Sequence, residues 1–193
     1  MTDVMRIPET SGEVHPATDA GVVQKRRRVR RVAARAGKMA LKVLAGYYAL
    51  CLVLLVAYRF VAPPITAVQL QRRLEAAVTG KEYSLDRNLL GRERIPRHVA
   101  RAVVAAEDGD FWDHWGFDFD EMRAASMEMF DGGMPRGAST ITQQLMKNLF
   151  GTTNQNPLRK LLDLSLALPA EFILGKERIL ELYLNNVEWG PGV

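Results

Sequence analysis

The longest uncharged stretch in the chain is VLAGYYALCLVLLVAY, the sixteen residues from Val43 to Tyr58. Lys42 and Arg59 flank it, and Phe60, Val61 and Ala62 prolong its apolar side. Long basic side chains reach lipid headgroups while their stems stay in the apolar layer. The usable span is then roughly 20 residues, enough to cross a ~30 Å hydrocarbon core. Tyr47, Tyr48 and Tyr58 fall where interfacial aromatic rings are favoured. Pro63-Pro64 ends the run, because proline removes a backbone donor and restricts the residue before it. A buried core helix is the competing assignment.

The charge ahead of the stretch argues against a core helix. Residues 25–42 hold nine basic residues (Lys25, Arg26, Arg27, Arg28, Arg30, Arg31, Arg35, Lys38 and Lys42) and no acidic one. A core helix has no use for them. A cleaved signal peptide would need a positive leader of 42 residues, and no small-residue cleavage site follows. The pattern therefore predicts a disordered, basic cytoplasmic tail over 1–38, a transmembrane anchor over 39–62, and a folded body over 63–193. The disorder follows from the Pro, Thr, Ser and Gly content of residues 1–24. Positive charge stays on the cytoplasmic side, so the body is expected outside.

Beyond residue 63 no run alternates β-branched and polar residues, and the periodicity is helical. Arg97–Ala106 puts Val99, Val103 and Ala106 on one side. Asp118 or Asp120 can cap a helix reaching Phe130, with Met122, Ala125, Met129 and Phe130 apolar. Gly132-Gly133-Met134-Pro135 breaks it. Thr140-x-x-Gln143 fits a capping box for a helix that Gly151 stops. Asn156-Pro157 opens another, with Leu158, Leu161, Leu162, Ser165 and Leu168 at helical spacing and a kink or break expected at Pro169. Glu177–Asn185 forms the last. The fold class is all-α.

Composition narrows the function. The whole chain carries a net charge of +4, yet from Pro63 onward there are 15 Lys and Arg against 18 Asp and Glu, a net of −3. That balance argues against a nucleic-acid-binding body, which needs a basic face to neutralise phosphates. One cysteine, Cys51, excludes a disulfide framework and a cysteine-based zinc site. Three dispersed histidines argue against a histidine-rich metal site.

Three polar groupings remain. Glu107-Asp108, followed by Phe111, His114 and Asp118, ends an apolar helix among aromatic residues. A carboxylate held against such neighbours has its charged form disfavoured and is poised for proton transfer. A solvated acidic loop with capping aspartates is equally compatible. In Gly137–Asn148, Thr140, Gln144 and Lys147 stand at i, i+4 and i+7 on a helix whose first turn offers free N–H groups to an anion. A capped surface helix explains the same pattern. In Arg159-Lys160-x-x-Asp163 the arginine and aspartate are i, i+4 neighbours. They form either a simple ion pair, worth ~0.3–0.5 kcal/mol when exposed, or a cationic phosphate site with a carboxylate beside it. Taken together, they suit group transfer from a lipid-linked phosphate donor.

EDGDFWDHWGFD (107–118), GASTITQQLMKN (137–148), RKLLD (159–163) and KERILELYLN (176–185) occur in that order. In sequence and spacing they resemble the family 51 glycosyltransferases of bacterial peptidoglycan synthesis, and the short body resembles the monofunctional branch. The resemblance implies a lysozyme-like α-helical fold and polymerisation of lipid II into β-1,4 glycan strands in the cell inner membrane. It implies Glu107 as general base, with Asp108, Phe111 and His114 shaping its site. It assigns Ser139, Thr140, Gln144, Lys147, Asn148, Arg159, Lys160 and Asn185 to substrate binding. A divalent cation, Mg2+, is expected at the diphosphate. Expected partners are lipid II, the growing glycan strand, the membrane, and cell-division or cell-wall synthesis proteins, with no nucleic acid. Asp163 stands where the family carries a second catalytic glutamate. Being one methylene shorter, it falls ~1 Å short, a misplacement that can cost ~100-fold in rate. Family members continue past the position of Val193, so a truncated product is expected. A lysozyme-like hydrolase and an impaired lipid II-binding or scaffold fragment are the competing functional classes.

Overall fold

The structure, a computed structural model, describes residues 17–83, 88–130, 132, 137–154 and 157–187. Every regular element among the described residues is helical, as the periodicity predicts. Helix α1, Ala17–Tyr58, runs unbroken for 42 residues. Residues 17–38, expected to be disordered, are therefore helical. Alanine, arginine and lysine are among the strongest helix formers, and no proline interrupts them. Residues 1–16 of the expected tail lie outside the described residues. From Gln24 to Tyr58, α1 is long and apolar enough to cross a membrane.

The chain divides into two compact units, the first ending at Tyr48 and the second beginning at Ala49. The first unit is helix α1 as far as Tyr48, exposed on every side from Gln24 to Gly46. The second unit starts with the last turns of α1, whose Cys51, Leu55 and Tyr58 are buried at i, i+4 and i+7. The Tyr58 ring stacks on Phe150 at 6.2 Å. The Tyr58 carbonyl accepts from Arg178 Nε at 2.9 Å, and Arg59 donates to the carbonyl of Ile173. The packed body thus begins ahead of the boundary expected at residue 63.

Helix α2, Ala67–Thr79, is additional to the expected helices. It opens on a capping box between Thr66 and Gln69, and Gly80, at φ 68°, stops it. A single 3-10 turn, Arg92–Arg94, leads to α3, Arg97–Glu107. Helix α4, Phe119–Phe130, is capped by Asp118, which accepts from the Glu121 amide at 2.7 Å. Helices α5 (Ile141–Phe150), α6 (Pro157–Leu174) and α7 (Lys176–Asn186) follow. Helix α5 is the spine of the body: it packs against α2, α6 and α7, and eight of its ten residues are buried.

Several expected faces shift. On α3 the buried residue is Val104, while Val99 is exposed. On α4 only Ala125 is buried; Met122, Met129 and Phe130 are exposed. Helix α6 continues through Pro169 without a break. Buried Leu166, Ala167, Ala170 and Leu174 hold both sides of the proline, and that packing offsets its cost of ~3 kcal/mol. The buried stripe of α6 also includes Asp163 and Glu171, and Leu161 and Leu168 face out. Apolar spacing alone misses a stripe with carboxylates in it. The proposed cap at Asn156 lies outside the described residues, as do Gly133, Met134 and Pro135 of the break after α4.

Candidate active site

Helix α3 delivers two carboxylates to one end of α5, and they diverge. Asp108 turns inward and is buried. Its Oδ2 accepts the Ile141 amide at 2.9 Å, one of the free N–H groups at the start of α5. Its Oδ1 lies 2.8 Å from His114 Nε2. The Gly116 amide donates to His114 Nδ1 at 3.0 Å, so the remaining ring proton belongs on Nε2 and points to Asp108. Asp108 and His114 together tie the loop 108–118 to α5.

Gly116 is the knot of that loop. Its φ of +79° and a would-be Cβ 3.2 Å from Ala167 Cβ both favour glycine. Its carbonyl accepts from both Thr140 Oγ1 at 2.9 Å and Gln143 Nε2 at 3.0 Å. The Thr140 hydroxyl also accepts the Gln143 amide. The expected capping box is thus half formed, because Gln143 uses its side chain on Gly116.

Glu107 turns outward and is exposed, the last residue of α3. Its Oε2 accepts from Gln144 Nε2 at 3.0 Å. Gln144 is fixed from behind by Tyr183, whose hydroxyl donates to Gln144 Oε1 at 3.0 Å. Tyr183 is buried, and burial together with nearby Glu107 and Asp108 pushes its ionisation well up, so it stays a donor. The aromatic enclosure expected around the carboxylates does not cover Glu107, which is exposed, while Asp108 bonds His114, whose ring meets Phe111 edge-on at 6.4 Å. Phe111 is fully buried under the Lys176 ammonium, 4.4 Å from its ring centre. Trp112 and Trp115 are exposed.

One turn along α5 from Gln144 stands Lys147, exposed. At the far end of α5 the chain meets α6. Arg159 Nη1 pairs with Asp163 Oδ2 at 2.6 Å, both largely buried. Burial raises the Asp163 carboxyl from 3.8 to about 6, against the opposing pull of Arg159 and Lys147. Asp163 Oδ1 and Arg159 Nε are buried without a hydrogen-bond partner. Gly151 leaves the room for this: a Cβ there would lie 2.8 Å from the Lys147 carbonyl and 3.0 Å from Asp163 Oδ1. Lys160 is exposed on the next position of α6.

The structure thus joins Glu107, Gln144, Lys147, Arg159 and Asp163 along one helix and its junction. Ser139 is half-buried at the start of α5, its carbonyl 3.4 Å from Gln144 Nε2. The remaining expected binding residues make contacts within the fold. Thr140 and Asn148 are buried, and the Asn148 amide bonds the Gln144 carbonyl. Asn185 holds both backbone groups of Leu90 and so pins the segment before α3. Among the described residues no three acidic, histidine or cysteine side chains gather where they could hold a metal ion. Two contributors escaped sequence reasoning: Tyr183, and Glu171, which binds Thr142 at 2.6 Å and Lys176 at 2.9 Å beneath the loop. Their signal was only a polar residue on an apolar helix face.

This all-helical body, with a carboxylate and a cation set along a buried helix, carries the motifs of an enzyme family. The family described as Transglycosylase matches residues 74–193, and the chain belongs to that family. Three relatives are called biosynthetic peptidoglycan transglycosylase. The protein of Stutzerimonas stutzeri is 42% identical over 152 residues, covering 79% of this chain and 63% of the relative. That of Pseudomonas syringae pv. tomato is 39% identical over 153 residues, covering 79% and 65%. That of Pseudomonas putida W619 is 43% identical over 142 residues, covering 74% and 60%. The chain therefore spans less than two thirds of the length of these relatives.

Proposed function

We propose that this protein is a membrane-anchored peptidoglycan glycosyltransferase that polymerises lipid II into β-1,4 glycan strands. The observation that carries this reading is the Glu107–Gln144 hydrogen bond, which ties an exposed carboxylate to the helix that bears Lys147 one turn on. In the reaction, the 4-hydroxyl oxygen of the acceptor sugar bonds to the donor anomeric carbon. The bond from that carbon to the diphosphate oxygen breaks. The hydroxyl proton passes to Glu107, and undecaprenyl diphosphate leaves with the bonding pair. Lys147, Arg159 and Lys160 meet the charge that develops on it, where preorganised donors act most strongly. Asp163 acts through its grip on Arg159. The basic run ahead of the span supports an inner-membrane anchor with a cytoplasmic N-terminus and a periplasmic body. Cell-division or cell-wall synthesis proteins remain the expected partners.

The test is polymerisation of lipid II by the purified chain. Glu107→Gln keeps the amide contact and the fold, and its rate is expected to fall by ~10²–10⁴, the usual worth of a positioned base. Unchanged polymer formation overturns the assignment of the base. A parent chain that binds lipid II and makes no polymer points instead to a binding or scaffold role.

A further inference from the structure

Ahead of its apolar span, α1 has two unlike sides. Arg27, Arg31, Arg35, Lys38 and Lys42 recur at intervals of four, four, three and four residues, which places them on one face of a helix. Val29, Val32, Ala33, Ala36, Met39 and Val43 recur at helical intervals on the opposite face. Both faces are exposed: Val29 at 61%, Val32 at 60% and Met39 at 65%. No acidic residue between 25 and 42 balances the nine cations.

We propose that residues 27–36, beyond Lys25, which falls on the apolar side and ends it, lie along an anionic lipid surface, with Val29, Val32, Ala33 and Ala36 toward the acyl chains and Arg27, Arg31 and Arg35 among the headgroups. Continuity with the span holds this segment at the membrane, and its charge selects the lipid. A second copy docked on the apolar face would bring nine more cations and no anion to pair them. An upright stalk is the other arrangement. A ~30 Å core takes roughly 20 residues, and the last 20 of α1 begin at Met39. Arg27 would then stand about 18 Å beyond the hydrocarbon. That exceeds the ~8 Å over which charge is felt in physiological salt. Val29, Val32 and Ala36 would also stay in water. Lying down brings both faces to their own medium. Gly37, the glycine between this segment and the span, lacks the side chain that would stiffen the backbone there.

The full chain, reconstituted in vesicles, tests this with an environment-sensitive fluorophore at Val32→Cys or Ala34→Cys in a Cys51→Ala background. Val32 is on the apolar face, and Ala34 is on the opposite one. In vesicles containing phosphatidylglycerol, the probe at 32 is expected to shift to the blue and resist an aqueous quencher, and the probe at 34 to remain quenched. In pure phosphatidylcholine both should be quenched. Arg27→Gln, Arg28→Gln and Arg31→Gln together are expected to lower the ratio of lying to upright helix on the order of 100-fold. Equal quenching at 32 and 34 in anionic vesicles overturns the proposal in favour of an upright stalk. Protection at 32 that persists without anionic lipid, or that follows protein density, overturns it in favour of a helix pair. Protection that survives the triple substitution overturns the electrostatic basis.

Discussion

At the scale of single residues, the adjacent carboxylates Glu107 and Asp108 take opposite parts: one exposed and bonded by a glutamine, the other buried and spent on an amide and an imidazole. The sequence marked the pair and could not say which turned outward, because that depends on where the first amides of α5 come to rest. It also marked Asp163, whose environment it could not show. With its carboxyl raised from 3.8 to about 6, the folded chain keeps a proton there that the unfolded chain has already lost. The folded state therefore binds more protons between those values. Stability from this group is full below about 4 and is lost as pH rises through 6. Asp163→Asn removes the titration. The melting temperature of the parent relative to this variant is expected to rise as pH falls from 7 to 4. A pH-independent difference would contradict the buried state of Asp163.

At the scale of elements, α1 serves two media. Its C-terminal turns present Leu55, at 0% exposure, to the body, while Leu50, one and a half turns earlier, is 53% exposed. Leu55→Ala is expected to cost ~2–5 kcal/mol through lost burial and the cavity it leaves. Leu50→Ala should stay within ~0.5 kcal/mol, as exposed substitutions do. Thermal unfolding in detergent compares them. Equal effects would mean that the end of α1 is anchor only. The existence of α4, α5 and α6 was legible because caps and breakers stood at their ends: Asp118, Thr140, Gly151 and Pro157. Their buried faces were less legible. Asp163 and Glu171 occupy core positions of α6 through partners far away in sequence, and Pro169 is carried by tertiary packing. Helix α2 was missed although Thr66 and Gln69 announce its start and Leu70, Leu74 and Val78 recur at helical spacing; that stripe is exposed, and the buried residues are Val68 and Gln69.

At the scale of the molecule, charge and motif are separated along the chain. Nine cations precede the span, and the body is mildly acidic, with a net of −3. The few cations brought to the site must therefore act locally on an anionic donor. Lys147 and Lys160 are exposed, and Arg159 is oriented by Asp163. Loss of one such charge-assisted contact is worth ~1.5–3 kcal/mol. Lys147→Ala is thus expected to lower kcat/KM for lipid II on the order of 10–100-fold while leaving the melting temperature nearly unchanged. The substrate-free protein offers a second readout. Among the described residues no three His, Cys, Asp or Glu side chains gather to hold an ion on their own, so adding Mg2+ or a chelator to the substrate-free protein is expected not to move the melting temperature, because only an ion that binds the fold stabilises it. A rise of several degrees with Mg2+ alone would reveal a resident site and reassign Asp163 as its ligand. An unmoved melting curve together with Mg2+-dependent polymerisation would put the ion on the diphosphate, beside the cations of α5 and α6.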